Sequence, residues 1–433
     1  MGKKIVLFIG ILAFTSGVYT QNSTSDFYSF SLENCLNYAF SHNYNLQSMQ
    51  LSEQASAAEL KQSKQERLPS LSASVGQTLS HQTGNSAAVS GNAGINAGMT
   101  LYQGGAITKT IEQNKLKKEL SGLQTSQYVN NLTIQILQAF LTAVGNEELL
   151  KYQQNVIAAS QEQWKQGKAQ YDYGKILESD CLLLEAQLAS DQNNVTNTQI
   201  TLGNNMLALK NLLAMPATDS LKLLSPDTLS ISAMGLLPPL ANVLSEANNA
   251  LPDLKINQYN INIANLNLKI AKGNYLPTVS LSGSIGTGHS DFDNFGTQLS
   301  NRFNQQAGIS VSIPIYDKGR AKAQVQQSKI ALQQAELDKK QNELDINKTI
   351  TEDYQNVVSA YNRYRTTQIL QNAHSKSFEA YRHRFNAGSI TVVELLQQQN
   401  NYLNALTDYI QSKYELILKR KILDLYMGKN ISL

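Results

Sequence analysis

A short segment of alternating apolar and polar residues stands out in a chain that is otherwise predicted to be helical. In residues 92–102, NAGINAGMTLY, apolar side chains occupy every second position, and small or polar residues occupy the others. Because side chains alternate between the two faces of a strand, this pattern predicts a β-strand with one apolar face. Residues 306–316, QAGISVSIPIY, repeat the pattern and predict a second strand of the same kind.

Each of these strands follows another alternating segment, at residues 70–80 and 278–288. No Asp, Glu, Lys or Arg occurs between Leu68 and Thr108. Four uncharged strands of about ten residues match the length of membrane-spanning strands. Soluble strands normally carry Lys or Glu on the wet face, which favours the membrane interpretation over a soluble hairpin packed on helices. The soluble hairpin stays open as an alternative because it shows the same alternation.

The rest of the chain has the apolar spacing of long helices. Apolar residues recur every three or four positions over residues 31–67, 106 to about 170, and 176–213. A helix of roughly 65 residues is about 100 Å long, which no compact domain accommodates. The pattern therefore predicts a coiled coil or a helical tube. Residues 214–239 contain four prolines and are predicted to be a linker or equatorial segment.

The chain also contains an internal duplication. Gly174 corresponds to Gly388 at an offset of 214 residues, and Asp180 corresponds to Glu394 at the same offset. Two structural repeats are predicted, at residues 22–213 and 240–428, each with the order helix, two strands, long helix and helix. The glycines are predicted to turn the chain at the tip of each helical hairpin, because a glycine supplies the left-handed conformation at which helices commonly end. Residues 429–433 form a C-terminal tail.

The first 21 residues have the pattern of a secretory signal peptide. Lys3 and Lys4 precede an apolar run over residues 5–14, which is followed by small and polar residues. We therefore expect an exported protein.

Composition and motifs argue against nucleic-acid binding and enzymatic chemistry. The net charge is only +3, with 36 basic and 33 acidic residues, so no strong field favours nucleic acid. The five histidines and two cysteines show no metal-ligand spacing. The sequence contains no phosphate-binding loop and no hydrolase motif. We expect no catalytic residue, no metal and no cofactor.

The strands explain how such a chain crosses a membrane. Backbone groups in lipid must all be paired, so the strands need a closed barrel. Eight strands are about the smallest practical barrel, so several copies of the chain must each contribute their four strands. The apolar face is then predicted to meet lipid and the polar face, with Asn96 and Thr100, to line the channel. The residues assigned to lipid are Ile95, Met99, Leu101, Ile309, Val311 and Ile313.

Several motifs, in this order, resemble the TolC-type outer membrane efflux protein family. They are LPSLS and LPTVS before the strands, IPIYDKGRAKAQ at 313–324, QYDYGKILESD at 170–180 and RFNAGSITVVELL at 384–396. The resemblance implies a mainly α fold with a homotrimeric, twelve-stranded outer membrane barrel, continued by a long α-helical barrel in the periplasm. It also implies a periplasmic adaptor and an inner-membrane pump as partners.

The same resemblance assigns roles to residues near the tips. It places adaptor docking at Gly174, Lys175, Ile176, Gly388, Ser389 and Ile390. It places Glu394 at the periplasmic aperture with Asp180, and it puts Gln397 where the family has a second acidic residue. Two simpler explanations stay open: the glycines are only helix caps, and the carboxylates are only favourable charges near helix N-termini.

We therefore predict the export duct of a tripartite efflux or type I secretion system. The alternative is an exported structural coiled-coil protein or adhesin without a pore.

Overall fold

The computed structural model describes residues 28–81, 83, 88–224, 237–291 and 293–429. The elements of the first half are β1 (Tyr28–Phe30), α1 (Leu32–His42), α2 (Tyr44–Gln65), β2 (Ser70–Ser80), β3 (Ala88–Gln103), α3 (Ala106–Asp172) and α4 (Glu178–Leu213). Those that follow are β4 (Leu221–Leu223), α5 (Leu240–Ala250), α6 (Pro252–Gly273), β5 (Thr278–His289), α7 (Phe295–Asn301), β6 (Asn304–Ser312), α8 (Arg320–Asn386) and α9 (Val392–Tyr426). The predicted signal peptide at 1–21 lies outside the described residues, as do residues 225–236 of the linker and 430–433 of the tail.

The lengths of the helices confirm the duplication. Helices α1, α2, α3 and α4 have 11, 22, 67 and 36 residues. Their counterparts α5, α6, α8 and α9 have 11, 22, 67 and 35 residues. A helix of this greatest length is about 100 Å long. Helix α3 packs against α4, and α8 packs against α9, so each half ends in a long helical hairpin.

One predicted helix is two helices in the structure. The prediction of a continuous helix over 31–67 is wrong at Asn43, which lies between α1 and α2 in an extended conformation. The Asn43 side chain accepts a hydrogen bond from the backbone of Leu46 at 3.0 Å and donates one to the carbonyl oxygen of Leu212 at 2.9 Å. The first bond caps α2 and the second fixes the break against α4. Each repeat therefore begins with two helices.

The predicted linker at 214–239 contains regular structure. Its residues 221–223 form β4, which pairs in parallel with β1. Leu223 is buried in the largest apolar core, together with Phe30 of β1. That core continues through α1, α3, α4 and α9, and Phe140 is its largest fully buried side chain.

The four longer strands form one antiparallel sheet in the order β2, β3, β5, β6. The sequence predicts the two hairpins, and the structure adds the pairing of β3 with β5 that joins them. The connection within the second hairpin contains α7, which accommodates the difference in length between the two hairpins. Strands β2 and β6 lie at the edges of the sheet.

Strand β6 ends earlier than predicted. It covers Asn304–Ser312 rather than 306–316, so Ile313 and Tyr316 lie outside the strand. Two features account for the difference: Ser312 pairs with Thr278, which is the first residue of β5, and Pro314 has no backbone N–H to donate to a ladder. Ile313 is 62% exposed in the single chain, but its assignment as a strand residue is wrong.

Among the described residues, no helix is both long enough and apolar enough to span a membrane. Cys35 and Cys181 are free thiols.

Candidate functional site

The two hairpin tips have the same backbone geometry. Gly174 has φ +68° and Gly388 has φ +72°, which is the left-handed region. At the first tip Gly174 donates to the carbonyl oxygen of Tyr171 at 2.7 Å, and Lys175 donates to that of Gln170 at 2.8 Å. The second tip repeats these two bonds at 2.8 and 2.9 Å. This is the Schellman arrangement, in which a glycine ends a helix and satisfies its last carbonyl groups.

The glycines are required by conformation and not by crowding. A Cβ atom built on Gly174 or Gly388 meets no atom of the described residues within 4 Å. An L-residue there pays only the conformational penalty of the left-handed region, about 1–2 kcal/mol. The space beyond both glycines is therefore open to a partner.

An apolar cluster holds the two tips side by side. Leu184 of α4 packs with Phe385 at the end of α8 and with Val392 and Leu395 at the start of α9. Gly167 permits this packing, because a Cβ atom there would collide with the Leu184 side chain. The structure thus brings the tip residues of both repeats to one end of the molecule.

The predicted docking residues divide into two groups. Gly174, Lys175, Gly388 and Ser389 are exposed. Ile390 is partly buried against the apolar cluster, and Ile176 is likewise only partly exposed. The isoleucines therefore support the turns from within, while the glycines and their neighbours form the accessible surface.

Sequence reasoning missed two exposed apolar side chains at the first tip. Tyr173 is 81% exposed and Leu177 is 71% exposed, on either side of the glycine turn. Exposed apolar side chains that form a contiguous patch indicate a contact surface, whereas single ones are common. The signal in the sequence is their position, with Tyr173 directly after α3 and Leu177 directly before α4.

Glu394 acts as a helix cap. Its carboxylate accepts hydrogen bonds from the Thr391 backbone at 2.9 Å and hydroxyl at 3.1 Å, while the Glu394 backbone donates to that hydroxyl at 3.2 Å. This is a capping box at the start of α9. The backbone bond from Thr391 is the main reason that the pKa of Glu394 is lowered, so the exposed carboxylate stays ionised.

The other two predicted aperture residues lie near the starts of α4 and α9. Asp180 is in the first turn of α4, at the position equivalent to Glu394, but Leu177 replaces the capping threonine there. Gln397 is exposed and donates to Asn401 at 3.2 Å, one turn further along α9. Both repeats thus carry a carboxylate in the first turn of the returning helix. Gln397, at the position predicted to match a second acidic residue, is uncharged.

The register of the sheet separates its residues into two faces. On one face Ser72, Asn96, Ser284 and Gln306 are aligned across all four strands. On the other face Met99, Leu281 and Ile309 are aligned across three strands. Ile309 is 68% exposed, and Ile95 and Val311 are also exposed. The structure thus presents a broad uncovered apolar surface in the single chain.

Leu101 departs from this alternation. The register of β3 against β5 shifts between Thr100 and Tyr102, so Leu101 has no direct partner. Such a bulge inserts one extra residue and re-aims the side chains that follow it. Leu101 is therefore exposed beside the apolar face but does not continue the row of Met99 and Ile95.

A buried polar layer between the hairpins was also missed. Ser160 of α3, Asp191 of α4 and Gln399 of α9 are hydrogen-bonded to one another and almost fully buried. Asp191 lies seven residues after Leu184 and Gln399 lies four residues after Leu395, a spacing that indicates burial, but sequence spacing alone does not show which polar residues meet.

Comparison with known proteins identifies the family. A sequence model described as outer membrane efflux protein matches residues 35–215 and 243–429, one match to each repeat and most of the chain. The chain belongs to the outer membrane efflux protein family. This efflux protein is 20% identical to outer membrane protein TolC of Vibrio cholerae over 328 residues, which cover 76% of this chain and 74% of the relative.

Other members and a solved structure agree. Outer membrane protein TolC of Escherichia coli is 22% identical over 326 residues, which cover 70% of this chain and 63% of the relative. The crystal structure of CusC superposes with a TM-score of 0.80 at 17% identity and covers 93% of each chain, which establishes the same fold. The efflux protein is thus an outer membrane channel protein of a transport family. No comparison supports a pore-free coiled-coil protein or adhesin.

Proposed function

We propose that this efflux protein is the export duct of a tripartite system, in which three copies close their sheets into one barrel of twelve strands. The observation that supports this most directly is the uncharged sheet, with its apolar face and its two edge strands. An open sheet edge is not tolerated in lipid, and four strands are too few to close. Joining β6 of one copy to β2 of the next satisfies both requirements.

The helices continue the duct through the periplasm in this proposal. Helices α3 and α8 each span about 100 Å. The polar face of the sheet, with Asn96 and Ser284, lines a wet lumen, through which substrates pass from an inner-membrane pump and a periplasmic adaptor to the outside. The protein acts as a conduit and not as an enzyme, and it needs no cofactor.

The hairpin tips are the proposed adaptor contact. The exposed Gly174, Lys175, Gly388 and Ser389 form this contact together with the side chains that flank them. In the assembled trimer Glu394 forms an acidic ring at the periplasmic aperture, and Asp180 adds charge close to it. Gln397 leaves the second ring neutral, so the aperture carries fewer charges than a duct with two acidic rings.

Single-channel recording tests the duct. Full-length protein purified from outer membranes and inserted into a planar lipid bilayer is expected to give stable, ohmic conductance steps. Absence of conductance from correctly folded protein would contradict the proposal.

Photo-cross-linking in cells tests the adaptor contact separately. A photoreactive residue in place of Lys175 is expected to capture the periplasmic adaptor, identified by mass spectrometry. The same residue in place of Thr108, which is exposed close to the sheet, is the matched control and should not capture it. Equal capture at both positions, or none at Lys175, would count against docking at the tips.

A further inference from the structure

A polar layer interrupts the apolar seam between the two helical hairpins. Ser160, Asp191 and Gln399 are 2%, 3% and 0% exposed. Leu184 lies seven residues before Asp191 on α4, and Leu395 lies four residues before Gln399 on α9, and both are buried apolar residues. The layer therefore occupies core positions, where a polar residue requires compensation.

Hydrogen bonds connect the layer across the hairpins. One carboxylate oxygen of Asp191, Oδ2, accepts from the Ser160 hydroxyl at 2.5 Å and from Gln399 Nε2 at 2.9 Å. Gln399 Nε2 also donates to Ser160 Oγ at 2.8 Å. The other oxygen, Oδ1, accepts from Gln187 Nε2 within α4 at 2.9 Å. The bonds at Oδ2 thus join α3 and α4 of the first hairpin to α9 of the second.

Within the part of the chain that the structure describes, no opposite charge faces the Asp191 carboxylate. Its hydrogen-bond partners on α3, α4 and α9 are all neutral. A cavity of about 220 Å³ adjoins it, and the other residues that line this cavity are uncharged: Gln153, Val156, Asn194, Leu403, Asn404 and Thr407. The cavity gives a proton or water a route to the carboxyl group.

Burial raises the pKa of Asp191 above the ordinary 3.8 of an aspartate, although its three hydrogen bonds oppose the shift. A raised pKa in the folded state means that ionisation costs stability at neutral pH. This cost disappears as the pH falls through the raised pKa. Protonation of Asp191 therefore favours the state in which this carboxyl group is buried between the hairpins.

A second contact between the hairpins pairs its carboxylate with an opposite charge. Glu148 of α3 accepts from Lys413 at 2.9 Å and from Tyr414 at 2.6 Å, both on α9. The lysine supplies the opposite charge that Asp191 lacks. Of these two contacts, only the polar layer buries a carboxylate with no opposite charge among its hydrogen-bond partners.

We propose that the layer of Ser160, Asp191 and Gln399 is a proton-operated clamp between the two helical hairpins of this efflux protein. A proton from solvent binds at Oδ1 of Asp191 and displaces only the bond from Gln187, which lies within one helix. The bonds at Oδ2 that join the hairpins remain, and the uncompensated negative charge is removed. A fall in pH through the raised pKa of Asp191 tightens the clamp, and a rise in pH through that pKa loosens it.

Distances between spin labels test the clamp directly. Labels are attached to cysteines that replace the exposed Gln192 of α4 and Asn400 of α9, after replacement of Cys181 by serine. The full-length assembled protein in detergent is expected to give a narrower distance distribution as the pH falls, with a midpoint above 3.8. Asp191→Asn mimics the protonated form and is expected to give the narrow distribution at every pH.

Two further variants keep the test decisive. Gln399→Met removes the donor from the second hairpin at similar volume and is expected to give a broad distribution that acid does not narrow. Glu148→Gln is the matched control and should keep the normal response to pH. A wild-type distribution that does not change with pH, or a pH response that persists in Asp191→Asn, would overturn the clamp. Neither result depends on whether the protein exports substrates.

Discussion

Gly388 provides the sharpest test of why the tips contain glycine. In Gly388→Ala, the new methyl group meets no atom within 4 Å, so the change acts only through the backbone, which has φ +72°. The expected penalty is about 1–2 kcal/mol, equivalent to roughly a 5–30-fold increase in opening of the turn. The reporter is the Ser389 amide, which donates to the carbonyl oxygen of Arg384 at 2.9 Å and is followed by hydrogen exchange.

Two matched variants separate the cap from the docking surface. Gly388→Asn is expected to exchange more slowly than the alanine variant, because asparagine tolerates the left-handed conformation. Gly203 lies on an exposed, uncrowded face of α4. Gly203→Ala is expected to slow hydrogen exchange of the neighbouring backbone amides, since alanine stabilises a helix interior by about 0.5–1 kcal/mol relative to glycine. Unchanged exchange at Ser389 in Gly388→Ala, or equal effects of alanine and asparagine, would refute the conformational explanation. If asparagine restores the turn but not adaptor capture, the glycine also serves docking.

Three other changes test separate parts of the account. Glu394→Gln keeps the capping box, because glutamine also serves at this position, but it removes the negative charge. The channel should therefore lose its preference for cations in reversal-potential measurements. An unchanged preference would contradict the acidic ring. Gly104→Ala should abolish most folded protein in the membrane fraction, because the new Cβ atom would collide with the backbone carbonyl group of Gly273. A normal yield of folded protein would contradict the close approach of these two backbone segments. Ile95→Lys should block membrane assembly, because a lysine on the lipid-facing side of a barrel strand costs about 2–4 kcal/mol. Asn96→Lys places the charge on the opposite face and should assemble. Equal yields of the two variants would contradict the assignment of the two faces.

The sequence predicts the repeated features best. The strand alternation and the constant offset depend on local periodicity, so the hairpins, the long helices and the tip glycines are found without tertiary information. Pro314 shows where side-chain alternation fails as a guide: β6 ends at Ser312 although the apolar alternation continues, and proline has no N–H to extend the ladder. The boundary follows from the backbone chemistry of proline, which outweighs side-chain alternation.

Other features depend on contacts between distant residues. The break at Asn43 is fixed by a bond to Leu212, which lies 169 residues away. The pairing of β3 with β5 joins two halves of the chain, and alternation alone does not specify which edges meet. Asp191 looks like an ordinary helical aspartate until Gln399 is placed against it, 208 residues away. Burial of a polar group is therefore the feature that sequence periodicity identifies least well.

The number of chains in the membrane-extracted particle tests the central claim most directly. The sheet has four strands and two edges, so a closed duct requires copies to join edge to edge. Native mass spectrometry of the full-length protein, extracted from outer membranes in mild detergent, is expected to give particles of three chains. Particles of a single chain, under conditions that preserve a known trimeric outer membrane protein, would contradict the duct.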